Sequence, residues 1–295
     1  MKKIPAFTRT YVKANEDYLM AFFRRMLEED KSIMDVTSAF TPKRKVKAEI
    51  VFKEAGYVSG IAELLILYRM VGVPCKPRKK EGEFVRKGEV VLSLQGDSRS
   101  ILEVERTSLN VLSRMSGITT LTRKYVEALK SVGSKAKVSA TRKTTPLFRY
   151  FEKRAVCVGG GVPHRMNLSD MVLIKDNHLR VFGGVKKALE AARNEGRKIP
   201  IEIEVTTLAD ALKAASCGAD VIMLDNMNPK EASKVMKALN GKKLRNKVCI
   251  EVSGGVNLDN IREYGRLDVD LISVGGLTYS ASSINLSLEF TRVLK

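Results

Sequence analysis

The 295-residue chain has two histidines, His164 and His178. Both lie in the segment 139–178, beside Arg142, Lys143, Arg165 and Lys175. That segment contains "SATRKTTP" (139–146), "VGGGVPHRM" (158–166) and "MVLIKDNH" (171–178). Several Arg and Lys side chains and two imidazoles facing one cavity suit a ligand with several negative charges. Arginine's planar fork matches a carboxylate, and lysine serves as a point charge for phosphate. Acidic residues follow, Glu202 and Glu204 in "IEIEV" (201–205) and Asp225 in "DVIMLD" (220–225). Two glycine-rich turns come next, Ser253-Gly254-Gly255 and Gly275-Gly276, of the kind whose backbone N–H groups approach an oxyanion. The implied pocket has a carboxylate-reading side, a phosphate-reading side, and acids that handle a metal and sugar hydroxyls. A carboxylic acid and a phosphorylated sugar are the expected substrates.

Gathering such a set requires strands that end together. Short apolar runs recur at 136–140, 171–175, 201–205, 220–225, 248–253 and 271–275. Most are separated by amphipathic stretches of helical length, at 183–196, 208–219 and 228–241. Strand, helix, strand at this spacing predicts a parallel sheet with right-handed crossovers, and six or so repeats fit a β/α barrel. No G-x-G-x-x-G follows a first strand, which removes the main signal for a dinucleotide fold. Barrel chemistry sits at the C-terminal strand ends, and the polar and glycine-rich residues above fall there. Alternation in "IEIEV" puts Ile201, Ile203 and Val205 on one face and both glutamates on the other, pointing into the barrel. Buried carboxylates need partners. An ion pair with an interior lysine is expected for Glu202, and ligand or metal contact for Glu204, one step nearer the mouth.

The first hundred residues have another rhythm. "YLMAFFRRMLEED" (18–30) and "GIAELLILYRMVG" (60–72) read as helices. "KVKAEIVFKEAGYVSG" (45–60) reads as an antiparallel pair. Gly82, Gly88 and Gly96 punctuate short strands before a helix that begins near Glu105. An α+β segment is expected, with its boundary between 105 and 118.

Composition narrows the function classes. The formal net charge is +19, from 52 Lys+Arg against 33 Asp+Glu, which suggests anionic partners. With 6% aromatics and no RRM, KH or basic–aromatic motif, RNA binding is not the expected use of that charge. No run of 18 apolar residues predicts a membrane span. The opening "MKKIPAFTRTYVKANEDY" has no apolar core of a secretory signal. Four widely spaced cysteines (Cys75, Cys157, Cys217, Cys249) suit neither a disulfide framework nor a zinc ribbon, and predict a reduced, cytoplasmic setting.

The strings "ATRKTTP", "EKRAVCVGGGVPHRMNLSDMVLIKDNHL", "IEIEVTTLADA", "GADVIMLDN", "IEVSGGV" and "DLISVGGLTYSA" closely resemble the quinolinate phosphoribosyltransferase family, over essentially the whole chain. The resemblance implies transfer of phosphoribosyl from phosphoribosyl pyrophosphate to quinolinate. The products would be nicotinate mononucleotide, pyrophosphate and CO2, a step in NAD biosynthesis. It implies that Arg142, Arg165 and Lys175 hold the quinolinate carboxylates, with His164 lining the site. Arg106, in "VERTSLN", would reach the neighbouring subunit's pocket. Thr141, Lys143 and Lys175 would face the sugar substrate's phosphates. Glu204 and Asp225 would take the ribose hydroxyls and Mg2+, making Lys143, Glu204 and Asp225 the catalytic set. Ser253, Gly254, Gly255, Val274, Gly275 and Gly276 would cradle the 5′-phosphate. The implied architecture is an N-terminal α+β sandwich, 1–114, joined by a C-terminal helix, about 281–295. A seven-stranded α/β barrel, 115–280, completes it. The implied assembly is a homodimer with shared sites, in some members a hexamer.

Two departures stand out. The family's glycine after "TTP" is Leu147, and "VGALTHS" reads "VGGLTYS", placing Gly276 and Tyr279 where the family has alanine and histidine. Two related readings accompany the main one, a nicotinate phosphoribosyltransferase and a paralogue of the same fold associated with molybdenum transport.

Overall fold

The computed structural model describes residues 16–196 and 199–294. The reading of the N-terminal string as lacking a leader therefore rests largely on residues outside the described ones. The chain divides into two units, 122–149 with Gly160–Ser280, and 16–121 with Tyr150–Gly159 and 281–294. The division falls at 121/122, inside the helix Ser98–Lys130, not at the expected 114/115. That helix starts earlier than expected, and Tyr150–Gly159 also leaves the expected barrel domain.

Among the described residues of the barrel unit, six parallel strands are Lys137–Ser139, Val172–Ile174, Ile201–Val205, Val221–Asp225, Cys249–Ser253 and Leu271–Ser273. From the second strand onward each pairs with its successor, and the last pairs with the first. Val162 adds a seventh position as a single parallel bridge to Ser139, with Ala140 N–H donating to Val162 O and Val162 N–H to Val138 O, both at 2.9 Å. The seven-stranded expectation is thus met by six strands and one rung. Three glycines precede Val162, and His164, the next residue that would face the first strand, has φ 55 and leaves the extended conformation.

Register stacks the inward residues in levels. Val221 and Cys249 pair at one level, with Glu202 opposite Val221. Glu204, Met223, Glu251 and Leu271 share the next, and Asp225, Ser253 and Ser273 the one above. Val162, Val221, Cys249 and Leu271 form a buried apolar cluster. Polarity therefore rises along the strands toward their C-terminal ends. Crossover helices match the amphipathic stretches: Val185–Asn194, Leu208–Ser216 and Pro229–Gly241, the last started by an Asn228 cap with Glu231 reaching back.

The other unit holds a four-stranded antiparallel sheet, ordered Leu286–Val293, Lys45–Phe52, Val90–Asp97, Cys75–Pro77. Gly56–Tyr57 pairs with Phe84–Val85, not with the strand before it. The C-terminal segment is a strand where a helix was expected. "LSLEFTRV" alternates, and its partner decides: Phe52, Ile50 and Ala48 lie opposite Leu286, Leu288 and Phe290.

Candidate active site

The strand ends surround a cavity of about 370 Å3. Arg142, Lys143, Arg165 and Lys175 line it, with Glu204, Asp225 and Glu251. Thr141, His164, Ser253, Gly254, Gly255 and Gly275 also face it. Three of the expected residues are not in the lining. Arg106 is exposed on the helix Ser98–Lys130 of the other unit. Val274 is buried and its N–H donates to Ser139 O at 2.9 Å, so that amide is not offered to a phosphate. Gly276 begins the short helix Gly276–Tyr279 behind Gly275.

The loop after the first strand carries three of the polar groups. Lys143 N–H donates to Thr141 Oγ1 at 3.1 Å, and Thr278 Oγ1 donates to Lys143 O at 2.6 Å. The backbone is held on both sides while the Lys143 side chain stays exposed. Leu147, in the departing position, has φ 64. The loop keeps the left-handed conformation that suits glycine, with leucine in it.

Arg142 and Arg165 are close enough that Arg165 is lowered, first by burial and next by the Arg142 charge. Arg142 Nε is buried with no hydrogen-bond partner among the described residues. Two neighbouring guanidinium groups at a cavity wall call for an anion between them.

On the opposite side Lys175 Nζ stands 3.3 Å from Glu204 Oε2. Burial, and then the Asp225 charge, raise Glu204 above the usual carboxylate range against the pull of Lys175. Asp225 is oriented by Asn226, whose Nδ2 donates to Asp225 Oδ2 at 2.8 Å. Two neighbouring carboxylates, Glu204 linked to Asp225 by charge and paired with Lys175, form an oxygen donor set that fits a divalent cation such as Mg2+. Gly254 has φ +88, and a Cβ there would meet Asn226 Oδ1 at 2.3 Å. Only glycine lets the backbone pass.

His178 is exposed and accepts Lys175 N–H at Nδ1, 2.9 Å away, at the start of the helix Asp176–Phe182. His164 is buried beneath the cavity, with Nε2 3.2 Å from Glu251 Oε2 and 3.3 Å from Glu202 Oε2. Glu202 therefore pairs with a histidine, not with the expected lysine. Burial lowers His164, but the Glu251 and Glu202 charges outweigh it and push it up to about 10. The hydrogen-bond geometry opposes a second ring proton: Nδ1 accepts the Arg165 N–H at 2.8 Å, and an atom that accepts cannot also donate. The geometry decides for a ring with its proton at Nε2, facing the carboxylates. Burial first, then Glu251, raise Glu202.

Glu251 escapes the sequence reading. Its signal was available, since "CIEVS" alternates as "IEIEV" does and puts Glu251 and Ser253 on one face. Tyr279, noted only as a departure, also lines the cavity.

Comparison with known proteins matches the N-terminal domain of quinolinate phosphoribosyl transferase over residues 35–116, and its C-terminal domain over 118–289. A probable nicotinate-nucleotide pyrophosphorylase (carboxylating) of Archaeoglobus fulgidus is 45% identical over 86% of this chain and 97% of its own length. The nicotinate-nucleotide pyrophosphorylase (carboxylating) of Rattus norvegicus is 34% identical over 92% of this chain and 90% of its own. The solved structure of nicotinate-nucleotide pyrophosphorylase from Francisella tularensis superposes with a TM-score of 0.88 at 32% identity, covering 95% of this chain and 98% of that one.

Proposed function

Since this chain belongs to the quinolinate phosphoribosyltransferase family, we propose a division of labour among the residues of its cavity. The enzyme transfers phosphoribosyl from phosphoribosyl pyrophosphate to quinolinate with decarboxylation, giving nicotinate mononucleotide, pyrophosphate and CO2 in NAD biosynthesis. The nicotinate-using and molybdenum-associated alternatives are not favoured.

One observation carries the assignment of the acceptor side. Arg142 and Arg165 adjoin each other, and Arg142 Nε is buried with no hydrogen-bond partner among the described residues. A pyridine with two adjacent carboxylates places its charges where two such forks converge. Lys175 adds a third cation at the mouth. Glu204 and Asp225 fix the ribose hydroxyls, and Ser253, Gly254, Gly255 and Gly275 take the 5′-phosphate with backbone N–H groups. Glu204 and Asp225 would also hold Mg2+, which when bound neutralises charge on the pyrophosphate.

The barrier is loss of pyrophosphate from the anomeric carbon, through an oxocarbenium-like transition state. Lys143, on its braced loop, stabilises the charge growing on the leaving group. The arginines hold the pyridine nitrogen in line for attack. The pyridinium that forms stabilises negative charge on the adjacent ring carbon, so the carboxylate there leaves as CO2 and the carbanion left behind takes a proton from solvent. No covalent enzyme intermediate and no obligatory general base are required.

The assembly belongs to the same reading, as a homodimer that shares its sites. Ile33, Met34, Val36 and Phe40 are all exposed within one short segment, an apolar surface of the kind that a second copy covers. Arg106, exposed and outside the cavity lining, is then supplied in trans. The compartment is taken as reducing and cytoplasmic, in keeping with four free cysteines. Among the described residues no helix is long and apolar enough to cross a membrane.

The test is an assay of the purified protein with phosphoribosyl pyrophosphate and Mg2+, offering quinolinate or nicotinate. Quinolinate-dependent release of CO2 with mononucleotide formation is expected. Turnover of nicotinate without CO2 would overturn the assignment of the acceptor side.

A further inference from the structure

We infer that Glu202 and Glu251 are positioning residues for the acceptor side of the cavity, acting through His164 on Arg165. The inference rests on the reading that Arg165 holds a carboxylate of quinolinate. Neither glutamate belongs to the carboxylate-reading or the sugar-phosphate set. Both are fully buried, and Glu202 Oε1 and Glu251 Oε1 have no hydrogen-bond partner among the described residues. Two buried acids side by side are costly unless a donor or an opposite charge offsets them.

What they do is hold one ring. Both His164 nitrogens are engaged, Nε2 toward the two carboxylates and Nδ1 toward the Arg165 N–H. The ring has no free nitrogen to offer a substrate, so it serves as a strut. His164 also has φ 55, a left-handed conformation that a histidine adopts rarely, and that persists only where surroundings impose it. The hydrogen bonds at both ends of the ring impose it here. The consequence lies one residue on. The turn at His164 sets the direction in which Arg165 leaves the backbone, and Arg165 Nη1 reaches Met171 O at 3.5 Å along the cavity wall.

The same three side chains could be read as a metal site, since their ligand atoms lie within 4.8 Å of one another. The Nδ1 contact argues against it. A neutral ring that accepts at Nδ1 carries its proton at Nε2, which leaves no lone pair there for a metal.

Leucine fills the glutamate volume but cannot accept a hydrogen bond, whereas glutamine can. Quinolinate and phosphoribosyl pyrophosphate are titrated separately by calorimetry into Glu202→Leu, Glu251→Leu, Glu202→Gln and Glu251→Gln, alone and combined with Arg165→Ala. Each leucine variant should raise the quinolinate Kd at least tenfold, and each glutamine variant should stay within threefold. The Kd of phosphoribosyl pyrophosphate should stay within threefold throughout. Once Arg165 is alanine, the leucine changes should add no further loss. Wild-type quinolinate affinity in the leucine variants, or a full additive loss beside Arg165→Ala, overturns the inference. His164→Ala removes the strut without touching either acid and is read in the same way, so it decides the matter should a leucine variant not fold. If Arg165→Ala alone leaves quinolinate affinity unchanged, the acceptor-side reading has failed instead.

Discussion

Lys175 Nζ lies 3.3 Å from Glu204 Oε2, so the cationic and acidic sides of the cavity meet in one ion pair at its mouth. Lys175 is assigned to both substrates, Glu204 to the sugar phosphate and its metal. Glu204→Gln and Asp225→Asn should each lower turnover and raise the Mg2+ requirement. The quinolinate Kd should stay within about threefold, a difference below ~1 kcal/mol. Calorimetric titration of quinolinate and a Mg2+ dependence of rate check this. Collapse of quinolinate affinity with unchanged metal dependence would reverse the two sides.

Arg142→Ala and Arg165→Ala should each weaken quinolinate binding by about 2–5 kcal/mol, the scale for removing one partner of a buried charge pair. Phosphoribosyl pyrophosphate should lose much less. Equal losses for the two ligands would show that the arginines do not read carboxylates.

Gly254→Ala places a methyl 2.8 Å from Asn226 N, at φ +88. Backbone must move, and the phosphate turn moves with it. The KM for phosphoribosyl pyrophosphate should rise at least tenfold, with the quinolinate Kd little changed. An unaltered KM would take Gly254 out of the phosphate cradle.

Leu147 is 75% exposed and left-handed, with φ 64. Glycine relieves about 1–2 kcal/mol of strain but costs unfolded-chain entropy of about 0.4–1 kcal/mol. Leu147→Gly should therefore stabilise the protein by about 0.5–1 kcal/mol, read by urea denaturation. A loss of stability would mean that the leucine makes contacts in an assembly.

Arg106→Ala and Lys175→Ala should each be nearly inactive alone. Mixed under conditions of subunit exchange, they should recover activity, because one of two composite pockets is then intact. Exchange demonstrated by mass without recovery would place Arg106 outside the site.

Glu63, which is not among the cavity-lining residues, supplies a pH test. It is buried, accepts from Tyr150 OH at 3.0 Å, and is raised chiefly by burial and then by the Glu81 charge. The folded state therefore holds this proton more tightly than the unfolded state. As pH rises above 4.5, the ordinary value for a glutamate, the unfolded chain ionises first and stability falls. Glu63→Gln removes that fall, so its stability relative to wild type should improve from mildly acid to neutral pH. Parallel stability curves would mean that Glu63 titrates normally.

Much of this site was legible in local pattern. Alternation in "IEIEV" fixes the face of Glu202 and Glu204, and the strand–helix rhythm fixes where strand ends fall, because side-chain direction repeats with the period of the backbone. Arg142, Lys143, Arg165 and Lys175 were marked by residue type and all reach one cavity.

Other features depend on partners distant in the chain. "LSLEFTRV" alternates as a strand does, but the edge it joins is supplied by Lys45–Phe52, far earlier in the chain. Glu251 lies 87 residues from His164, and only the register of the barrel strands sets it beside the ring. Val274 sits beside the glycines proposed for the phosphate in the sequence, yet its N–H goes to Ser139 on the neighbouring strand. Composition and period set which residues face inward. Which inward residues touch is set by strand register and by the sign of φ at His164, and these belong to the folded chain.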